Sequence, residues 1–400
     1  MTLSEELAWR GFANQTTFES IEDINAPRTF YLGVDPSSDS MQIGNLAAVM
    51  LVRHLVNAGH KAIVLVGGAT GMIGDPKQDN ERTLKTLDEI EKNKAGIAAQ
   101  YRRLLEGEKF ELVDNYDWFK DIGYLEFLRD VGKQFSMTQL LDRDFVQARI
   151  GEGGSGISYA EFSYSLIQGY DFYHLYKEKG VTLQIGGSDQ WGNMLSGVPL
   201  IRRDGGEAHV WTIPLVIDKT TGKKFGKSES GTIWLDESQT SVYKFYQFWL
   251  NADDEGVIDY LKIYTQLDQQ TVEGLAKKSK ENPGGREAQR VLAREVTSLV
   301  HGADRAEAVE KVTQVLFGGA SVSDLDLSAL EELSREIPTA SSGKLYDLLV
   351  QTGLAASSSE ARRLVDGGGV SVNGEKVDGD YDVESPSLIK RGKNGFALVR

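Results

Sequence analysis

Five short segments hold the residue types best suited to chemistry. Residues 35–46, "DPSSDSMQIGNL", read as a strand end, a tight turn and a helix start, with Gly44 at the helix N-terminus. Free amides and the helix dipole suit phosphate there; the alternative is an ordinary strand-to-helix turn. In residues 221–231, "TGKKFGKSESG", Lys223, Lys224 and Lys227 surround Gly226 and Ser228. An ammonium is a point charge that can follow a moving anion; the alternative is a solvated basic loop. In residues 67–76, "GGATGMIGDP", a glycine-rich turn after an apolar run would set Asp75 at a crevice edge, able to bind an ammonium, although loop geometry alone also accounts for the glycines. In residues 161–172, "EFSYSLIQGYDF", Tyr164, Gln168 and Asp171 fall at i, i+4 and i+7, one helix face. Such a stripe either meets solvent or, interleaved with Phe162, Leu166, Ile167 and Phe172, forms a buried pocket wall. In residues 184–193, "QIGGSDQWGN", Asp189 follows two glycines at a strand end. An acidic side chain there can hold ribose hydroxyls; alternatively Ser188 caps a helix and Asp189 sits in its first turn.

Other chemistries find little support. The five histidines are scattered and there is no cysteine, so no metal-ligand cluster, thiolate zinc site, disulfide or cysteine nucleophile is expected.

These segments need strands and helices to bring them together. The run 29–33 is strand-like, apolar residues recur at helical spacing from Ile43 to Leu55, and Gly59 ends that helix. "KAIVLVGG" follows as a strand buried on both faces. Strand, helix, strand within about 40 residues is a parallel crossover. Further strands are expected near 110–115, 181–187 and 211–218. In open parallel sheets ligands bind at the strands' carboxyl ends, so the glycine-rich turns there suggest one shared crevice.

After about residue 232 the pattern becomes helical, and 321–341 is acidic and rich in small residues, as in a linker with at most one short helix. The last sixty residues read as two short helices and an Asn-Gly hairpin, "VSVNGEKV". Arg362, Arg363, Lys376, Lys390, Arg391 and Lys393 there could make a basic face. The formal net charge of −15 opposes wholesale adsorption to nucleic acid or anionic membrane, but not RNA binding through a local basic patch. No secretory signal and no apolar run approaching a membrane span of about 20 residues is seen, so a cytoplasmic protein is expected.

In order and wording the five segments resemble the bacterial tyrosyl-tRNA synthetases, class I enzymes, over essentially the whole chain. "EFSYSLIQGYDF" and "LQIGGSDQWGN" carry most of the specificity. "MQIGNL" stands where the class has His-Ile-Gly-His, and "KFGKS" where it has Lys-Met-Ser-Lys-Ser. The resemblance implies an α/β fold: a Rossmann-like parallel-sheet catalytic domain at 1–232, a helical anticodon-binding domain at 233–320, a linker at 321–341 and an alpha-L type α+β RNA-binding domain at 342–400. It implies activation of L-tyrosine by ATP and transfer of the tyrosyl group to the 3′ end of tRNA(Tyr), by a homodimer. Magnesium would accompany ATP, with no metal ligated by the protein.

By the same match Asp75, Tyr164 and Gln168 would hold the substrate amino group, and Tyr31 and Asp171 its phenol hydroxyl. Asp35 and Gln190 would sit beside the substrates. Gly187 and Asp189 would contact the adenylate ribose. Ser37, Gly44, Gln42, Asn45, Arg82, Lys224, Lys227 and Ser228 would serve ATP and its phosphates. Three departures stand out: Gln42 replaces the leading histidine, Leu32 replaces a small residue beside the ribose, and Asp79 falls near an expected lysine. They motivate an alternative, a non-catalytic RNA-binding or regulatory relative.

Overall fold

The computed structural model describes every residue except 77–82, 142–143, 152–153, 223–224 and 229–230, and leaves aside the side chains of 139, 144, 145, 227 and 228. The chain forms two compact units: Met1–Gln239 with Asp253–Ala288, and Thr240–Ala252 with Gln289–Arg400.

The first unit is built on a sheet of β1 (Thr29–Val34), β2 (Lys61–Val66), β3 (Phe110–Val113), β4 (Val181–Gly187) and β5 (His209–Ile213). Its order is β3-β2-β1-β4-β5, with every pairing parallel. In β2 five successive residues from Ala62 are buried, as its unbroken apolar run requires of a strand covered on both faces. Chain order reverses between β1 and β4, and a crevice opens at such a switch point.

Two helices follow the crossover rule. After the opening helix α1 (Leu3–Arg10), α2 (Ile43–Asn57) joins β1 to β2, and α4 (Leu87–Leu104), capped by Thr86 and Glu89, lies between β2 and β3. The helix Tyr159–Lys179 precedes β4; Ser158 caps its start and Gly180, in the left-handed region at φ 66°, ends it. Residues 68–73, expected as part of a glycine-rich turn, instead form the short helix α3 (Gly68–Ile73). Its first amides are bound by Asp114 and Asn115, at 2.9 Å to Gly68 N and 2.7 Å to Ala69 N, so capping from outside overrides the helix-weakening glycines. The expected strand at 211–218 stops at Ile213, before Pro214.

The helical stretch divides otherwise than its sequence suggests: residues 253–288 belong to the first unit, while 240–252 and 289–400 make the second. Segment 321–341, expected as a linker, holds the helix Leu327–Glu336 and a short strand. Leu325, Ala329 and Leu333 recur every four residues and are buried in one cluster with Leu388, Phe396 and Leu398. The Asn-Gly hairpin is present: Val370–Val372 pairs antiparallel with Glu375–Lys376, and Asn373 and Gly374 both have positive φ, 52° and 86°.

Candidate active site

A cavity of about 450 Å³ lies at the carboxyl ends of the first unit's strands. Its wall draws on all five segments: Asp35, Ser37, Gln42, Gly44 and Asn45 from the first, Phe225 from the lysine loop, and Asp75 from the third. The fourth adds Tyr164, Gln168 and Asp171, and the fifth Gln184, Gly187, Asp189 and Gln190. Tyr31 and Leu32 line it from β1.

The turn after β1 is held in shape by α4. Gln100 donates to Ser40 Oγ at 2.9 Å and accepts from Met41 N at 2.7 Å, while Asn93 donates to the Pro36 carbonyl at 3.0 Å. Gln42 takes the N-cap position of α2, and its main-chain N–H donates to Asn45 Oδ1 at 2.9 Å. That contact uses the oxygen of Asn45 and leaves its amide nitrogen, like the Gln42 carboxamide at the cavity wall, for an incoming acceptor.

The lysine-bearing loop is stitched to the same helix start. Ile43 N donates to the Ile233 carbonyl at 3.2 Å, Ile233 N to the Gly226 carbonyl at 3.0 Å, and Gln42 bridges to Trp234. Gly226 has φ +95°, and a Cβ on it would lie 3.7 Å from the Gly44 nitrogen, so the loop backbone passes close to the α2 amides. Lys227 and Ser228 form a two-residue strand whose backbone pairs with Thr232 and Gly231. Lys223, Lys224 and Arg82 lie outside the described residues, as does Asp79.

The polar stripe of the Tyr159–Lys179 helix faces inward. Tyr164 Oη donates to Asp35 Oδ2 at 2.8 Å, tying the helix to the turn after β1. Asp75 accepts from Gln190 Nε2 at 2.8 Å and from Asn193 Nδ2 at 2.9 Å, and Asn193 in turn accepts from Ser165 at 2.8 Å. About two turns beyond Tyr164 on the same helix, Asp171 is only 2% exposed. It accepts from Asn115 at 3.1 Å and from Trp118 Nε1 at 3.0 Å, and the Trp118 indole stacks on His174 with centroids 4.4 Å apart. Burial pushes the Asp171 carboxyl up to about 8, against the opposing pull of these two hydrogen bonds. Burial and the nearby Asp171 charge also drive the Tyr31 phenol well above its usual range. The Tyr31 hydroxyl is buried and has no hydrogen-bond partner among the described residues.

Several residues of this wall escaped the sequence reading. Asn115 and Trp118 follow β3, at the far edge of the sheet, and reach Asp171 only once the fold is formed. Their signal was the polar-aromatic run "DNYDW" just after a strand. Gln184, inside β4, is buried, and its Oε1 has no partner among the described residues. At the fifth segment Ser188 makes no cap; Gly187 takes the cap position, and Asp189 is exposed at the cavity rim.

The expected RNA-contacting residues belong to the second unit. Arg362, Arg363 and Lys376 are exposed, and Arg362 pairs loosely with Asp366 at 3.9 Å. Lys390 lies over the Phe396 ring, 5.1 Å from its centre. Arg391 is committed to scaffolding, donating to the Leu354 carbonyl and, at 3.2 Å, to Glu360.

This architecture matches known proteins closely. Residues 23–318 match the family described as class I tRNA synthetases of the W and Y type, and residues 344–387 match the S4 domain. The chain belongs to that synthetase family. It is 43% identical over 422 aligned positions to the tyrosine–tRNA ligase of Bacillus caldotenax, with all of both chains covered. It is 42% identical to tyrosine–tRNA ligase 2 of Bacillus cereus, covering all of this chain and 99% of the relative. Among solved structures, a C-terminally truncated mitochondrial tyrosyl-tRNA synthetase of Coccidioides posadasii superposes with a TM-score of 0.68 at 28% identity, covering 78% of this chain and 92% of that one. A tryptophanyl-tRNA synthetase of Encephalitozoon cuniculi shares the fold, with a TM-score of 0.55 at 13% identity, covering 83% and 92%.

The Asp171 carboxyl has a folded-state pKa of about 8 against an ordinary value of 3.8. A raised carboxyl pKa means that the folded state favours the proton, so this contribution to stability is full below pH 4 and is lost as pH rises towards 8. The urea midpoint of the wild type relative to Asp171→Asn is therefore expected to fall between pH 5 and pH 8 and to level off above. A difference independent of pH would place the perturbed group elsewhere.

Proposed function

We infer that this chain is a tyrosine–tRNA ligase, which joins L-tyrosine to ATP as tyrosyl-adenylate with release of pyrophosphate and then esterifies the 3′-terminal ribose of tRNA(Tyr). The observation that carries the amino-acid choice is the buried, unpartnered Tyr31 hydroxyl beside the buried Asp171 carboxyl. A phenol entering between them donates to Asp171 and accepts from Tyr31. A phenyl ring would leave the Tyr31 hydroxyl unpaired, at about 1–3 kcal/mol, and would withhold from Asp171 a third donor beside Asn115 and Trp118.

The amino group of tyrosine falls to Asp75, Tyr164 and Gln168, where burial, and after it the nearby Asp35 and Asp75 carboxylates, hold the Tyr164 phenol's pKa up. This places the substrate carboxylate towards the α2 turn. The triphosphate lies across Ser37, Gly44 and the side-chain amides of Gln42 and Asn45, with magnesium carried on it as part of the nucleotide substrate. Asp189 and Gly187 take the ribose from the β4 side. The carboxylate oxygen then attacks the α-phosphorus, and the bond to the bridging oxygen of pyrophosphate breaks. The protein works by positioning and by stabilising charge on the departing group. Lys224, Lys227 and Arg82 are assigned to that charge on sequence match. Gln42 offers a neutral donor where a histidine would offer a potential cation, so its share of that stabilisation is smaller.

Tyrosine-dependent ATP–pyrophosphate exchange tests this reading. Exchange is expected with the wild type, and Asp171→Ala is expected to lower kcat/KM for tyrosine by about 10- to 100-fold or more while the fold survives. Folded protein without exchange would favour the non-catalytic alternative, and unchanged kinetics in the variant would refute the phenol pocket.

The second unit is proposed to grip tRNA through Arg362, Arg363, Lys376 and Lys390. Because residues 388–398 share a core with 308–333, charge reversal is a cleaner probe than truncation. Arg362→Glu with Lys376→Glu is expected to impair aminoacylation and leave exchange unaltered; equal loss of both would remove the RNA assignment.

A homodimer is proposed through the first unit, where Tyr124, Leu125, Met137, Ile150 and Tyr159 are between 46% and 78% exposed within one stretch of chain. Sedimentation equilibrium is expected to give twice the chain mass, and Leu125→Glu with Met137→Glu to shift it towards the monomer.

A further inference from the structure

Two tyrosines that line the cavity have buried hydroxyls without a partner among the described residues: Tyr31 and Tyr101. Tyr31 is accounted for by the phenol pocket. Tyr101 belongs to none of the five segments. It sits in α4, fully buried, next to the Gln100 side chain that fixes the turn before α2.

Strand alternation separates the two. Tyr31 packs with Phe172 and Leu175 of the Tyr159–Lys179 helix, so its neighbour Leu32 faces the other side of the sheet. On that side the cavity is lined by Leu32, Ala47, Ala48 and Tyr101. The first three carry no polar side-chain atom, which leaves the Tyr101 hydroxyl, with the Asn45 amide at the start of α2, to meet a polar ligand on this side. A buried hydroxyl left unmatched is costly unless a ligand satisfies it.

The remaining parts of the substrates narrow the choice. The aromatic acid belongs with Tyr31 and Asp171, and phosphates belong at the start of α2. Between them lies the sugar. Asp189, from the β4 side, can only accept hydrogen bonds, whereas a diol presents two hydroxyls that both donate and accept. Leu32 pairs in register with Ile185 of β4, so the Leu32 patch and the Gly187–Asp189 rim approach the same seam of the sheet. A phenol hydroxyl both donates and accepts, and burial drives the Tyr101 pKa up so that it keeps its proton.

We propose that Tyr101 is a nucleotide-binding residue whose hydroxyl hydrogen-bonds a sugar hydroxyl of ATP and of the adenylate. This rests on the reading of the cavity as the ATP and tyrosine site. It would make the sugar subsite two-sided, with Asp189 on one flank and Tyr101, beyond Leu32, on the other.

Tyr101→Phe keeps the ring and deletes the hydroxyl. Exchange kinetics with ATP, 2′-deoxyATP and 3′-deoxyATP, with melting curves with and without ATP, test the proposal. KM for ATP is expected to rise about 3- to 10-fold, with KM for tyrosine unchanged. The wild type is expected to discriminate against one deoxynucleotide by a similar factor, and the variant to lose that discrimination. The unliganded variant should melt no lower than the wild type, while its stabilisation by ATP shrinks. An unaltered KM with intact discrimination overturns the assignment alone. So does a lowered melting temperature with intact discrimination, which would mark Tyr101 as packing only. A wild type that neither exchanges nor gains stability from ATP overturns the functional reading, and this assignment falls with it.

Discussion

The Tyr159–Lys179 helix carries a phenol, an amide and a carboxyl into the interior along a single face, and polar groups buried in this way must be paired. Asp171 is matched by Asn115 and Trp118, and Tyr164 by Asp35. Asp75 is matched by Gln190 and Asn193. Leaving one such group unmatched costs about 1–3 kcal/mol, and more for a charge. The arrangement holds only if β1, β3, β4 and the helix meet as they do, so the pairing requirement fixes the relative placement of these elements. Tyr31 remains the gap in the network beside Asp171, and the gap has the polarity of a phenol.

On the other side of the sheet the constraint is of a different kind. In the turn between β1 and α2 the main-chain donors of Met41, Gln42, Ile43 and Asn45 are met within the fold, by Gln100, Asn45, Ile233 and the Gln42 carbonyl, so the side-chain amides of Gln42 and Asn45 and the helix dipole are what remain for the anion proposed there. The turn is braced from behind, by Gln100 and Asn93 of α4, and from the flank, by the strand-like contacts of Gln42 and Ile43 with Ile233 and Trp234. Those contacts hold the Phe225–Gly226 bend beside the helix start at which the anion is proposed to bind. A neutral N-cap at Gln42 fits this mode of binding, in which donors and the helix dipole carry the load.

The second unit shows how composition misleads where periodicity would not. Segment 321–341 is acidic and poor in large side chains, which suggests a linker. Yet Ala329 and Leu333 fall on one helical face with Leu325 just ahead of it, and a small apolar stripe suffices when strands carrying Leu388 and Leu398 cover it. The C-terminal residues thus share a core with helices that precede them by some sixty positions.

The parallel sheet, its glycine-ended strands, the crevice and the Asn-Gly hairpin were legible in the sequence because each follows from spacing along a few consecutive residues. So were Asp35, Gln42 and Gly44 as a turn, and Tyr164, Gln168 and Asp171 as one face. Which way that face pointed was not legible, because an inward and an outward polar stripe have the same period. Only the tertiary structure decided it, through the order of the strands, and with it the partners Asn115 and Trp118, the orphaned hydroxyls of Tyr31 and Tyr101, and the assignment of residues 253–288 to the first unit. Local sequence sets which side chains share an element; pairing between distant strands sets which elements share a cavity.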